Sequence, residues 1–192
     1  MIRLQSSCRS RGFSLLEVMV AVIVICVGLL GIAKLQALSL SNTTTSRLRA
    51  LAAIEAASLA SSMHSNREYW GNPPDTVTVA GTNITSSDGA LQTAAGAANA
   101  GTACIGSSAG GAACQPVPLA AFDLVRWSNS LAALLPNPTA DISCQTIPGG
   151  GPASCTIQVS WTEKAVAVNA QEANAAANAQ FQNPSYTLYL EP

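Results

Sequence analysis

Charged and aromatic side chains are scarce in this sequence: of its 192 residues, 10% are charged and 5% are aromatic. An ordinary soluble protein has about 25% charged residues. The net charge is −1, which gives no general attraction to nucleic acid or to anionic lipid. The only histidine is His64, so the sequence has no set of histidines for a metal site. We therefore expect no metal, no cofactor and no nucleic-acid partner.

The single histidine also limits nucleophilic catalysis to one place. His64 lies near Ser61, Ser62 and Ser65, which allows a Ser–His pair. The sequence places no acid that would orient the imidazole, and it contains no nucleophile-elbow motif. We interpret His64 as a solvated surface residue, and the sequence does not predict an enzyme.

The apolar residues are concentrated near the N-terminus. Residues 13–33 form a run of 21 residues with one charged side chain, Glu17. As a helix this run would be about 31 Å long, close to the ~30 Å hydrocarbon core of a bilayer. Residues 1–12 carry three arginines and no acid, and such basic flanks stay in the cytoplasm. The sequence thus predicts one membrane span, with the chain from about Lys34 onward outside the cytoplasm.

A cleavable secretory signal peptide is the alternative interpretation of this run. The run is long for the apolar part of a signal peptide, and no small-x-small cleavage site lies near its end. The residues that follow also have a helical pattern instead of the start of a mature domain.

Four of the six cysteines lie beyond the apolar run, in two pairs that are close in sequence: Cys104 with Cys114, and Cys144 with Cys155. In an oxidising compartment, this arrangement indicates two disulfides. Four cysteines allow three connectivities, of which we favour the local one, Cys104–Cys114 and Cys144–Cys155. Free thiols are the alternative, whereas a metal site would need closer spacing or nearby histidines.

Helix-breaking residues are rare in the first third of the chain. The first proline is Pro73, and residues 13–69 contain only two glycines. This pattern predicts one long helix over residues 13–70, ended by Gly71 and the prolines that follow. Leucines in the second half of this helix share one face, although Glu55 falls inside it.

The remaining residues, 71–192, alternate strand and helix signals and predict a small antiparallel α+β domain. Between 80 and 113, 28 of 34 residues are Ala, Gly, Ser, Thr or Asn, which favours a flexible loop. A second flexible loop is predicted at 165–180, where a weak surface helix is the alternative. The predicted strands cover residues 76–79, 141–147, 154–162 and 186–190, and the predicted helix covers 118–135.

The segment Gly12-Phe13-Ser14-Leu15-Leu16-Glu17 follows a short basic leader and precedes the apolar run, and it resembles the class III signal of type IV prepilins. The longer run of 27 residues from Arg11 to Ala37 is similar to the PilV group of minor pilins, notably in its Gly-Leu-Leu-Gly segment at 28–31. Segments 123–136 and 157–161 fit that group more loosely. The resemblance implies a pilin-like α+β fold, in which a long N-terminal helix packs on a small antiparallel sheet.

The resemblance also implies how the chain is processed. Residues 1–12 would be a leader, residues 13–70 the long helix with its membrane span at 13–33, and residues 71–192 a periplasmic domain. A membrane peptidase would cut the Gly12–Phe13 bond on the cytoplasmic side and N-methylate Phe13. The absence of a Cβ at Gly12 permits close approach of the peptidase to that bond.

Glu17 is the one charged residue in the predicted span. A carboxylate in a bilayer costs at least ~2.5 kcal/mol and usually has a partner. The resemblance implies pairing with the freed Phe13 amine of a neighbouring subunit, which would set the register of subunits entering a filament. The alternative is a Glu17 that is hydrated by lipid head groups and water.

Taken together, these features predict a minor pilin of the type IV pilus that primes assembly in the inner membrane and enters the pilus at or near its tip. The implied partners are the prepilin peptidase, other minor pilins, the major pilin, the inner-membrane assembly platform and, as a further candidate, a tip adhesin. A minor pseudopilin of type II secretion and a signal-anchored periplasmic adhesin are the alternatives.

Overall fold

The computed structural model describes residues 14–102, 104, 115–146, 151–163, 174 and 183–192. The predicted peptidase site at Gly12 and Phe13, the cysteine Cys114 and almost all of the predicted loop at 165–180 lie outside these residues. The chain divides into two compact units, residues 1–42 and 43–192.

Helices occupy the first part of the described chain, and strands alternate with helices in the rest. In chain order, the elements are α1 (Leu15–Ser65), α2 (Arg67–Trp70), β1 (Thr76–Ala80), β2 (Asn83–Ser86), α3 (Gly89–Ala95), a 3-10 turn (Ala100–Thr102), α4 (Pro116–Leu134), β3 (Thr139–Gln145), β4 (Ser154–Ser160) and β5 (Ser185–Leu190).

The part of α1 in the first unit is apolar on all sides up to Ala33, with Glu17 as its one charged residue. Every residue from Ser14 to Ala37 is exposed within the chain. This segment is rich in Val, Ile, Leu and Ala and lacks proline, so the backbone can stay helical without support from a protein core. Among the described helices, α1 alone is long and apolar enough to cross a membrane.

The predicted helix to residue 70 is wrong in one respect, because α1 ends at Ser65 and the short α2 follows after a break at Asn66. The side-chain amide of Asn66 donates a hydrogen bond of 2.7 Å to the backbone carbonyl of Pro116, at the start of α4. Asn66 is itself buried. The break therefore depends on a contact with a residue 50 positions away, which no local sequence signal reveals.

The second unit is built on one antiparallel sheet with the strand order β2-β1-β3-β4-β5. Exposed and buried side chains alternate along β1 and β3. The buried side chains of these strands and of β4 share a single core with α1 and α4. The predicted fold class, a long apolar helix packed on a small antiparallel sheet, is confirmed.

Large apolar side chains fill this core from both layers. The helices contribute Leu59 and Met63 from α1 and Leu124 from α4, all of which are fully buried. The sheet layer contributes Ile157, and the two tryptophans Trp70 and Trp161 are also inside. Burying each large side chain is worth about 1.5–3 kcal/mol relative to exposure.

Glu55 lies on the buried face of α1, where the sequence pattern gave no reason for an acid. Its carboxylate oxygen Oε1 accepts a hydrogen bond of 2.9 Å from the hydroxyl of Ser130 on α4. Its backbone carbonyl accepts a second bond of 2.9 Å from the indole Nε1 of Trp127. Glu55 is 7% exposed, so these bonds join the two helices inside the protein.

The flexible loop predicted at 80–113 is wrong over residues 83–102, which contain β2, α3 and the 3-10 turn. Two apolar side chains, Ile84 and Leu91, are buried and attach the segment to the core. Asp88 caps α3, because its Oδ1 accepts a bond of 2.9 Å from the Ala90 N–H. A few well-placed side chains therefore order a segment whose overall composition favours a loop.

A disulfide joins Cys144 and Cys155, as the spacing predicts. The two cysteines lie directly opposite each other on β3 and β4. The second predicted disulfide, Cys104–Cys114, stays a prediction because Cys114 lies outside the described residues.

We expect Ser130→Ala to lower the free energy of unfolding by about 1–3 kcal/mol, because the buried Glu55 carboxylate loses its hydrogen-bond donor. Denaturant unfolding followed by circular dichroism would measure the change. Ser58→Ala, at an exposed position of α1 that borders the same groove as Glu55 and Ser130, is the control and should change stability by less than about 0.5 kcal/mol. If both variants lower the free energy of unfolding equally, the bond between Ser130 and Glu55 does not contribute the predicted stability.

The double variant Cys144→Ala/Cys155→Ala should lose about 2–3 kcal/mol of stability, the amount that closing a loop of this length contributes in the unfolded chain. Addition of a reductant should destabilise the wild type by more than it destabilises the double variant, in which only the predicted Cys104–Cys114 disulfide can be reduced. If the free energy of unfolding of the wild type stays the same after its disulfide is completely reduced, the expectation is wrong.

Candidate functional site

The start of α1 places the predicted assembly residue Glu17 in the first helical turn. The backbone carbonyl of Ser14 accepts bonds from the N–H groups of Glu17, at 3.0 Å, and Val18, at 3.3 Å. A helix N-terminus carries a partial positive charge, and Glu17 lies within the turn where this charge acts.

No other charged side chain accompanies Glu17 in the apolar segment, since the next charged residue along the chain is Lys34. Glu17 is exposed, and no described residue forms an ion pair or a side-chain hydrogen bond with it. Its predicted partner, the amine of Phe13 on a neighbouring subunit, lies outside the described residues. The pairing therefore stays a prediction.

Around Glu17, the surface of α1 is a continuous apolar cylinder. Large hydrophobic side chains that would normally be buried are more than half exposed here. Apolar patches larger than a few hundred Å² mark membrane or protein contacts. The exposed set consists of Leu15, Leu16, Val18, Met19, Val20, Val22, Ile23, Val24, Ile25, Val27, Leu29, Leu30, Ile32 and Leu35.

The two glycines of this segment are not required by packing within the chain. A Cβ at Gly28 or at Gly31 would have no atom within 4 Å. Cys26, on the same segment, is exposed as well.

His64 is not part of a catalytic arrangement in the described residues. It is exposed at the end of α1. The nearby hydroxyls of Ser62 and Ser65 donate to the backbone carbonyls of Ser58 and Ser62, at 3.3 and 2.8 Å. Among the residues the structure describes, no group of three His, Cys, Asp or Glu side chains is placed to hold a metal ion.

Polar grooves lie on the described surface of the domain, and two of them contain carboxylates with notable surroundings. One, of about 650 Å³, is bordered by Tyr69, whose hydroxyl donates a bond of 2.9 Å to Asp88 Oδ2. Burial and this bond raise the pKa of Tyr69. The other groove, of about 320 Å³, lies between α1 and α4, where burial raises the pKa of Asp123 and Arg126 partly opposes the shift.

The hydrogen bonds of Glu55 to α4 and the ion pair Arg49–Glu163 are contacts of the domain that the sequence did not predict. Arg49 Nε lies 3.6 Å from Glu163 Oε1, and the same oxygen accepts a bond of 3.0 Å from Trp161 Nε1. This pair connects α1 to the end of β4. No short-range signal could have found it, because the two residues are more than a hundred positions apart.

Residues 7–33 match the family model of the prokaryotic N-terminal methylation motif. The match includes Gly12, Phe13 and Glu17 and ends with the apolar run. No curated protein and no solved structure matches the chain. The motif is a type IV prepilin-like signal, which implies processing by prepilin peptidase and membrane assembly with other pilins. Together with the exposed apolar helix, it fits anchoring in the inner membrane and supports a type IV pilin-like or pseudopilin protein.

Proposed function

We propose that the chain is a minor pilin of the type IV pilus, similar to the PilV group, and a structural subunit with no enzymatic activity. It is inserted in the inner membrane with its N-terminus in the cytoplasm and its domain in the periplasm. Prepilin peptidase cuts after Gly12 and the new N-terminus, Phe13, is methylated. The subunit then helps to prime pilus assembly and is incorporated at or near the tip, in contact with other minor pilins and the major pilin.

The observation that carries this proposal is the methylation motif at residues 7–33, continued by a helix whose apolar side chains have no cover within the chain. Lipid covers such a helix before assembly, and neighbouring helices cover it in a filament. A plain membrane anchor explains the exposed surface, but it does not explain the Gly-Phe-Ser-Leu-Leu-Glu segment in front of it.

Glu17 supports the assembly role in a second way. Its carboxylate is isolated in the described part of the chain, and an isolated carboxylate in a bilayer costs at least ~2.5 kcal/mol. A new amine on Phe13 of a neighbouring subunit would neutralise it. The pairing would lower the free energy of the correct axial register only, and would therefore select that register during assembly.

The variant Gly12→Leu should remain in the membrane as the full-length precursor, because a bulky side chain blocks the approach of the peptidase to the bond. Mass spectrometry of the N-terminus would find Met1 in this variant and N-methyl-Phe13 in the wild type. Gly28→Leu, at an open position of α1, is the matched control and should be processed normally. Normal processing of Gly12→Leu would contradict the proposed cleavage site.

The variant Glu17→Ala should be cleaved normally and should be depleted about tenfold or more from sheared pili, because it has no charge to pair with the Phe13 amine. That factor corresponds to about 1.4 kcal/mol of lost pairing. Glu17→Asp keeps the charge and should be incorporated better than Glu17→Gln, which keeps only the polar shape. If Glu17→Gln is incorporated like the wild type, charge pairing plays no part.

The same pilus preparation tests the proposed function against its main alternative. A minor pilin should be found in sheared pili, and its deletion should reduce piliation even in a retraction-deficient strain. If the deletion instead abolishes protein secretion and leaves piliation unchanged, the chain is a pseudopilin of type II secretion.

A further inference from the structure

The two edges of the sheet differ in whether their outward-pointing backbone groups are hydrogen-bonded. At the β2 edge, the side chain of Gln92 from α3 takes the place of a neighbouring strand. Its Oε1 accepts a bond of 2.7 Å from the Ser86 N–H, and its Nε2 donates a bond of 3.1 Å to the Ile84 carbonyl. An unpaired strand edge invites pairing with another chain, and this amide satisfies the groups that would pair.

At the other edge, formed by β5, the alternation of hydrogen-bonded and non-bonded residue pairs shows which backbone groups point outward. The Trp161 N–H donates a bond of 3.2 Å to the Pro184 carbonyl, one step beyond the last register pair of β4 and β5. Bonded and non-bonded pairs alternate along an antiparallel ladder. The backbone groups of Tyr186, Leu188 and Leu190 therefore bond to β4. Those of Ser185, Thr187 and Tyr189 point away from the sheet.

The β1–β2 pair provides a check on assigning the outward backbone groups by this alternation. There the Ser87 N–H donates a bond of 3.0 Å to the Thr76 carbonyl. The same alternation then directs the backbone groups of Ser86 and Ile84 outward, and these are the two residues that Gln92 contacts.

Among the residues that the structure describes, none covers the outer edge of β5 or protects it with a side chain. Within the described part of the chain, no residue hydrogen-bonds to the outward groups of Ser185, Thr187 or Tyr189. The strand sequence Ser-Tyr-Thr-Leu-Tyr-Leu contains no charged residue and no proline, the two features with which proteins usually block an exposed edge. It is also rich in residues that favour strands.

The core is incomplete beside this edge. Tyr186, Leu188 and Leu190 face the core but remain partly exposed. Their cross-strand partners on β4, Val159, Ile157 and Cys155, are 0% exposed. One more strand beside β5 would both pair the outward backbone groups and cover these three side chains.

We propose that β5 is a docking edge that receives an extended segment of a partner protein as a sixth strand. The partner segment has apolar side chains at alternate positions, which cover Tyr186, Leu188 and Leu190, and no charge on that face. Backbone bonds to Ser185, Thr187 and Tyr189 supply the pairing, as in other cases of strand addition. This inference does not depend on the proposed pilus function, and it concerns a surface far in sequence from the methylation motif.

The test uses the full-length protein in detergent micelles and a synthetic peptide that is not a segment of this chain, NPTVSITVQP, as a strand with the required alternation. Hydrogen exchange of single amides is measured by NMR with and without the peptide. A peptide of the same composition with the alternation broken, NPVVITTSQP, is the control. Without peptide, the amides of Leu188 and Leu190 should exchange slowly and those of Thr187 and Tyr189 quickly. Saturating NPTVSITVQP should slow Thr187 and Tyr189 at least tenfold, and the control peptide should not.

The variant Thr187→Pro removes one outward N–H and leaves the bonds to β4 intact, because proline is tolerated at an outward position of an edge strand. It should keep its fold and lose the peptide effect at Tyr189. Thr187→Val keeps the N–H and should behave like the wild type. Tyr189→Pro removes a different outward N–H and replaces Thr187→Pro if that variant does not fold.

Three results would overturn the proposal. Slow exchange of Thr187 and Tyr189 in the free monomer would mean that the chain covers its own edge. Protection that appears without peptide and grows with protein concentration would assign the edge to a second copy. Equal protection by the two peptides, or an undiminished effect in the proline variants, would mean that strand pairing is not involved.

Discussion

Exposed apolar surface is the constraint on which this structure depends. The helix α1 is exposed on all sides up to Ala37 and carries its buried residues from Ala52 onward. The exposed part is apolar up to Ala33 apart from Glu17 and needs a cover from outside the helix, whereas the buried residues of the second part belong to the core of the domain. Glu17 is the one charged residue of that apolar part, which is why the proposed pairing concerns this residue.

Within the domain, the contact between α1 and α4 shows how a polar group can be placed in a core. Glu55 is buried, but both its carboxylate and its backbone carbonyl are bonded to α4. An unpaired carboxylate there would be strongly destabilising. The hydrogen-bonded carboxylate instead helps to fix the orientation of α1 against α4 in an otherwise apolar interface. The bond from Trp127 also uses the polar atom of a large core side chain, so the same residue contributes both packing and orientation.

The two edges and the centre of the sheet differ in how their strands are held. Its β2 edge is covered by the Gln92 amide, and its centre is joined across β3 and β4 by the Cys144–Cys155 disulfide. At the β5 edge, in contrast, no described residue bonds to the outward backbone groups, and the core-facing side chains of this strand are partly exposed. The two edges therefore differ, and the proposed strand addition concerns the β5 edge alone. The proposed contacts of the apolar helix with lipid and other helices concern a different part of the chain.

The sequence alone determined the elements that follow from local pattern. The apolar run and its single acid, the strands with alternating side chains, the helix around Trp127 and the Cys144–Cys155 pair were all predicted, because each depends on periodicity or on short-range spacing. The methylation motif is equally local. Only the tertiary structure decided the helix break at Asn66, the bonds of Glu55 and the order in residues 83–102. In each case the stabilising partner is distant in the chain or consists of one or two buried side chains, and neither composition nor periodicity contains that information.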